Sequence, residues 1–193
     1  MGEQDITTYL IAIFIAIITL EENLFAENTG EYLVNKKSLR IIDIPGHERL
    51  RGKFFDSYKN TAKGIVYVVD SLTLQKEVKD VAEFLYVILT DSTVMSASPQ
   101  ILILCNKQDE LLSKGSFVIK TLLEKEMNTL RITQSNQLES VDPSKSKKVF
   151  LGKEDKDFDF SCVPPYNIEF EECQACSEDT KIDVLKKWLN KIA

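Results

Sequence analysis

Beyond residue 30 the chain alternates between short, nearly solid apolar runs and longer stretches in which apolar residues recur every three or four positions. The solid runs, Leu39 to Ile44, Gly64 to Val69, Ile101 to Cys105 and Ile168 to Cys173, with a weaker one from Glu31 to Val34, predict strands. The periodic stretches predict helices. Leu74 to Val94 carries Val78, Val81, Ala82, Leu85, Ile88 and Leu89 at helical spacing, Phe117 to Leu130 carries Ile119, Leu122, Leu123 and Leu130, and Ile182 to Ile192 closes the chain amphipathically. Strands and helices in alternation specify an α/β sandwich with a mostly parallel sheet. The polar stretch 133–157 reads as a flexible insertion within that one domain, which is expected to span 31–193.

The first 30 residues show a different pattern. Ile6 to Leu20 carries no charge, and as a helix it extends about 22 Å at about 1.5 Å per residue, against a hydrocarbon layer of about 30 Å. Three readings fit. A membrane anchor is one, and the nearest cations, Lys36, Lys37 and Arg40, come after the run, so insertion keeps the body on the cytosolic side. A buried core element is the second, because strands covered on both faces are also continuously apolar and rich in Ile. A cleaved leader is the third, although Glu3 and Asp5 stand where a basic start belongs. The expectation carried forward is an apolar, anchor-like segment over 1–30.

Composition narrows the function. A chain of 193 residues has room for one core. With 24 Lys plus Arg against 30 Asp plus Glu, the net charge of −6 repels phosphate backbones, so no direct nucleic-acid partner is expected. Four cysteines are too few for a disulfide scaffold. Cys173 and Cys176 have the spacing of a metal pair, but no second pair completes a closed zinc site and His47 is the only histidine, so no metal site is expected in the protein ligands.

The candidate chemistry lies at the carboxyl ends of the strands, where an open α/β sheet places its ligands. The first predicted strand ends Ile42-Asp43-Ile44-Pro45-Gly46-His47-Glu48. A carboxylate such as Asp43 can reach a magnesium ion through water, and Gly46 lets backbone N–H approach a terminal phosphate. His47, next to that glycine, is a candidate to orient an attacking water. The third ends Cys105-Asn106-Lys107-Gln108-Asp109. The Asp109 carboxylate can accept from the ring N–H and the exocyclic amine of guanine together, Asn106 can meet the other edge, and the Lys107 stem can lie over the base. Adenine lacks that amine and would leave Asp109 unpaired. After the last strand a backbone N–H near Ala175 can donate to the guanine oxygen.

The two motifs occur in order, together with Gly64-Ile65-Val66-Tyr67-Val68-Val69-Asp70-Ser71, with Glu77-Val78-Lys79-Asp80-Val81-Ala82-Glu83-Phe84-Leu85-Tyr86 and with Leu185-Lys186-Lys187-Trp188-Leu189. In these runs the chain resembles the beta-subunit family of the signal recognition particle receptor, from about Glu31 to Ala193. The resemblance implies a Ras-like, P-loop-NTPase-like three-layer sandwich related to the Arf proteins, with GTP and Mg as ligands. It implies an endoplasmic reticulum location through one N-terminal helix, a C-terminal domain in the cytosol, and the receptor alpha subunit as partner, which it holds at the membrane for co-translational targeting.

One departure separates the chain from the family pattern. Nowhere does it contain Gly-x-x-x-x-Gly-Lys with Ser or Thr next, the loop whose N–H groups and lysine hold phosphates. The resemblance therefore implies that the first strand, that loop and the first helix are missing, with Leu20 passing straight into Glu21. Sequencing the transcript across Thr19 to Asn23 tests whether a coding block has been skipped. Two consequences are expected. GTP binding is weak and hydrolysis is left open; and either the sheet loses a central strand or the run from Tyr9 to Thr19 moves in as its substitute. A nucleotide-free scaffold that still uses the surface from Asp43 to Lys63 is the alternative function.

Overall fold

A computed structural model of the chain describes residues 9–15, 28–34, 37–141, 150–175 and 180–193. Among these residues six strands form one sheet: β1 (Tyr9–Ile15), β2 (Asn28–Val34), β3 (Lys37–Ile44), β4 (Ala62–Asp70), β5 (Gln100–Asn106) and β6 (Ile168–Glu172). Their order is β2-β3-β1-β4-β5-β6. All neighbours run parallel except β2, which pairs antiparallel with β3.

Tyr9–Ile15, the described part of the apolar leader, forms a strand, the second of the three readings; residues 1–8 and 16–27 lie outside the described residues. Tyr9–Ile15 runs between β3 and β4, from Tyr9↔Leu39 to Phe14↔Ile44 on one side and from Leu10↔Ala62 to Ile15↔Val68 on the other. Of the two expected outcomes, a lost central strand or a substitute from the run Tyr9 to Thr19, the sheet shows the second, with Tyr9–Ile15 in the central position. The physical reason is the backbone: without β1 the facing edges of β3 and β4 would leave rows of N–H and C=O groups unpaired inside the protein. A middle parallel strand needs an apolar run because both faces are covered, and this run supplies one. Among the described residues no helix is long and apolar enough to cross a membrane.

Among the described residues five α-helices cover the sheet: α1 (Glu48–Tyr58), α2 (Leu74–Thr90), α3 (Ser92–Ala97), α4 (Ser116–Val141) and α5 (Asp183–Ile192). Alternation along the strands divides two cores. Ile65, Tyr67 and Val69 face a large core shared with Phe55 of α1, Leu85 of α2, Val94 of α3 and Ile119 and Leu123 of α4. Val66 and Val68 face a smaller one under α5, with Leu39, Leu102, Leu104, Trp188 and Ile192. Gly64 is needed there, since a Cβ on it would stand 2.8 Å from both Trp188 and Ile192. The Tyr67 hydroxyl, wholly buried, donates to the Val81 carbonyl at 2.7 Å, and burial pushes its pKa up.

Three elements differ from expectation. The predicted helix from Leu74 to Val94 is split, because Asp91 takes extended geometry and its carboxylate accepts from Thr93 N–H at 2.9 Å and Val94 N–H at 3.1 Å, capping a new helix. α1 has no counterpart in the prediction; only Phe55 of it is fully buried, and Gly52 interrupts its periodicity. The expected flexible insertion over 133–157 begins instead as the last turns of α4, and its far end is tied down. Arg131, 3% exposed, donates from Nη1 to the carbonyls of Leu151 at 3.1 Å and Lys153 at 2.9 Å, and from Nη2 to that of Lys156. Its guanidinium also stacks 4.9 Å from the Phe150 ring. Residues 142–149 lie outside the described residues.

Candidate functional site

The tips of β4, β5 and β6 are cross-linked by side chains that the chain places immediately after each apolar run. Asp70 ends β4 and lies opposite Asn106 at the end of β5. Ser71 N–H donates to the Asn106 carbonyl at 3.1 Å, Lys114 N–H to the Ser71 carbonyl at 3.0 Å, and Gln108 Nε2 to Ser71 Oγ at 2.9 Å and the Lys114 carbonyl at 3.0 Å. Gln108 N–H reaches the Cys173 carbonyl at 3.2 Å. These bonds satisfy backbone groups that leave the sheet and would otherwise be stranded at its rim.

Asn106 is 2% exposed and its oxygen has two donors, Ala175 N–H at 2.9 Å and the Cys173 thiol at 3.4 Å. Burial pushes the Cys173 thiol up to about 11 and the Cys105 thiol up to about 12, so Cys173 is protonated and able to donate. With its oxygen so occupied, Asn106 has its amide N–H2 to offer a ligand. The Ala175 N–H, expected to meet a guanine oxygen, is directed to Asn106 in this arrangement.

Lys107 turns the chain sharply out of the sheet at φ 66°, a left-handed conformation that costs a non-glycine residue about 1–2 kcal/mol. Its ammonium is 2.7 Å from Asp70 Oδ2, instead of free to extend over a base. The other Asp70 oxygen accepts from Leu72 N–H at 2.8 Å and Thr73 N–H at 3.2 Å. Burial alone would raise the Asp70 carboxyl, but Lys107 and the two backbone donors outweigh it and hold the group below its ordinary 3.8. Sequence reasoning misses Asp70 as a site residue, although an acid closing a buried apolar run carries the signal. Asp109 stands exposed on the turn that Glu110 N–H closes onto the Lys107 carbonyl at 3.2 Å.

The other candidate groups stand on the β3 side of the sheet. Asp43 pairs in register with Ile13, and its strand is three places from β5, so about 14 Å of sheet separates it from Asn106. Alternation puts Asp43, Asp70 and Asn106 on the same face as the smaller core. Gly46 lies in the link from β3 to α1, and His47 caps that helix, its Nδ1 accepting from Arg49 N–H at 3.2 Å. The sequence after Ile15 at the tip of β1 has no glycine before Gly30 and no lysine before Lys36. The sequence after β1 thus lacks the glycines and the lysine that hold a triphosphate.

This strand order, with one antiparallel edge and an Asn-Lys-x-Asp turn leaving a buried strand, defines the Ras-like class of α/β nucleotide-binding folds. Within it, the chain belongs to the signal recognition particle receptor beta subunit family, whose model matches residues 13–165. The signal recognition particle receptor subunits beta of Rattus norvegicus and Homo sapiens are each 45% identical over 175 residues, 86% of this chain. The chain spans 65% of the length of the rat relative and 64% of the human one. The structure described as that of the mammalian SRP receptor superposes with a TM-score of 0.79 at 39% identity, covering 95% of this chain and 100% of the other. A receptor SRb-GDP-Mg structure from Chaetomium thermophilum shares the fold, with a TM-score of 0.66 at 21% identity, covering 80% of this chain and 81% of the other.

Proposed function

We propose that this chain acts as a beta subunit of the signal recognition particle receptor, holding the receptor alpha subunit at the endoplasmic reticulum membrane for co-translational targeting. Guanine nucleotide, with Mg, is its family ligand, recognised here through the base alone. Asn106 and Asp109 supply the base edge contacts; Asp43 and Gly46 are what remains of the phosphate end. Most of the affinity of this fold for a nucleoside triphosphate comes from a preorganised loop and lysine at the tip of β1, so binding is weak. No hydrolytic step is assigned to His47. The observation that supports the proposal is the network at the tips of β4, β5 and β6, built on Asp70, Asn106 and Lys107.

The missing phosphate loop favours a second reading, a nucleotide-independent scaffold for the same partner. Capture of the alpha subunit with and without GTP distinguishes them. GTP-dependent capture supports the first, equal capture supports the scaffold, and no capture in either condition overturns both. A single-pass anchor formed by residues 6–20 requires Tyr9–Ile15 to leave the sheet. Protease treatment of the chain with and without endoplasmic reticulum membranes tests this: protection that needs membranes places the run in lipid, and equal protection leaves it as β1.

A further inference from the structure

We propose that Asp70 is a positioning residue for the purine, acting through Lys107, an inference that rests on the base recognition proposed above. Asp70 tethers the lysine so that its stem, laid across the rim of the sheet from β5 to β4, forms the surface on which the base stacks. Lys107 leaves β5 at φ 66°, a conformation that a residue with a Cβ keeps only where its surroundings hold it. Two contacts do so. Glu110 N–H closes the turn onto the Lys107 carbonyl at 3.2 Å, and the ammonium ends 2.7 Å from Asp70 Oδ2.

The anchor is itself fixed. The second Asp70 oxygen accepts from Leu72 N–H at 2.8 Å and Thr73 N–H at 3.2 Å, so the carboxylate is not free to rotate. Asp70 lies opposite Asn106 in the β4–β5 ladder, and neighbouring strands stand about 4.8 Å apart. A lysine that starts one residue beyond Asn106 and ends on Asp70 therefore carries its four methylenes across that gap. The head group stays on Asp70, whose side chain is 3% exposed, while that of Lys107 is 28% exposed; the part of the pair still open to a ligand belongs to the lysine. A loose lysine stem samples many rotamers, and ordering it on binding weakens affinity. The ion pair orders it before a ligand arrives. The stem then meets the flat face of the ring, and the edge is left to Asn106 and Asp109.

The full chain, isotope-labelled at lysine, is titrated with GMP and with IMP, which lacks the exocyclic amine. Asp70→Asn keeps an oxygen for Leu72 and Thr73 N–H and removes the charge that holds the ammonium. In the parent, GMP is expected to move the Lys107 methylene resonances upfield by ring current. In Asp70→Asn that shift is expected to shrink, and both nucleotides to bind about fivefold more weakly with their ratio unchanged, because a stem reads the face of the base and not its edge. Lys107→Met is expected to lose nothing further when Asp70→Asn is added. The ring-current shift is read in the parent, so it tests the stacking whether or not Asp70→Asn folds. Binding by the parent without that shift, equal affinity in Asp70→Asn, or full additivity of the two changes overturns the role of Asp70 and leaves base recognition standing. No binding of either nucleotide to the parent at millimolar concentration overturns both.

Discussion

The two ends of the candidate site are built to different standards. At β4, β5 and β6 the groups leaving the sheet have partners: Asp70 holds Lys107 and two backbone N–H groups, and Asn106 holds the Cys173 thiol and Ala175 N–H. At β1 and β3 the strands are in register, but the sequence after Ile15 has neither the glycines nor the lysine that a phosphate requires. The difference shows that a sheet and its ligand loops are separable. Strand pairing asks only for an apolar, extended segment, while phosphate binding asks for a particular loop. A substitute strand can repair the first without restoring the second.

The most severe challenge to this contrast is an attack on the repair itself. Ile13, flanked in register by Asp43 and Val66, is replaced by proline in Ile13→Pro. Proline cannot donate to a central ladder, and the variant is expected to lose several kcal/mol, a large share of the roughly 5–15 kcal/mol a domain holds. An unchanged urea midpoint would remove β1 from the middle of the sheet. Next in size is Asp70→Ala at the well-built end, expected to cost about 2–3 kcal/mol by leaving Leu72 and Thr73 N–H and the Lys107 ammonium without their acceptor. Asp109→Ala, exposed, is expected within about 0.5 kcal/mol of the parent in the same denaturation series. Similar costs for both would mean that the network does not support that end of the sheet.

Acid titration separates the Asp70 ion pair from its neighbours. The Asp70 carboxyl lies below 3.8 in the folded chain, so its contribution is fully present above the unfolded value and is lost as pH falls past 3.8 through the lower folded one. Asp91, also held down, titrates in the same range. The difference between the parent and Asp70→Ala isolates Asp70, and the two melting temperatures should converge as pH falls below 3.8. A gap that stays constant to about pH 2 would deny the ion pair its role. A modest effect is expected at the β3 end, where His47→Ala removes the cap on α1 at a cost of about 0.5–1 kcal/mol, largely recovered by His47→Asn. A loss of several kcal/mol there would show that the β3–α1 link carries more than a cap.

Much of the fold is legible in the residues. The solid runs at Gly64 to Val69 and Ile101 to Cys105 correspond to β4 and β5 with ends moved by a residue or two, because a strand buried on both faces has no polar position to blur it. The candidate groups at the ends of β3 and β5 emerge from the same logic. α1 is not legible, since Gly52 and its charged residues leave it only one fully buried side chain. The split at Asp91 is hidden because apolar periodicity runs across it, and a carboxylate that can cap overrides periodicity. Ala175 reads as a donor to ligand, yet a backbone N–H goes to whichever acceptor the fold brings near, here Asn106.

The layered α/β plan and the lack of a phosphate loop are written in local runs of residue type, so the amino-acid order alone is enough to establish them. The destination of Tyr9–Ile15 is not. An uncharged, Ile-rich run meets the demands of lipid and of a strand covered on both sides equally well. What separates the two is a pair of backbone edges, on β3 and β4, that come to face each other only once the chain has folded.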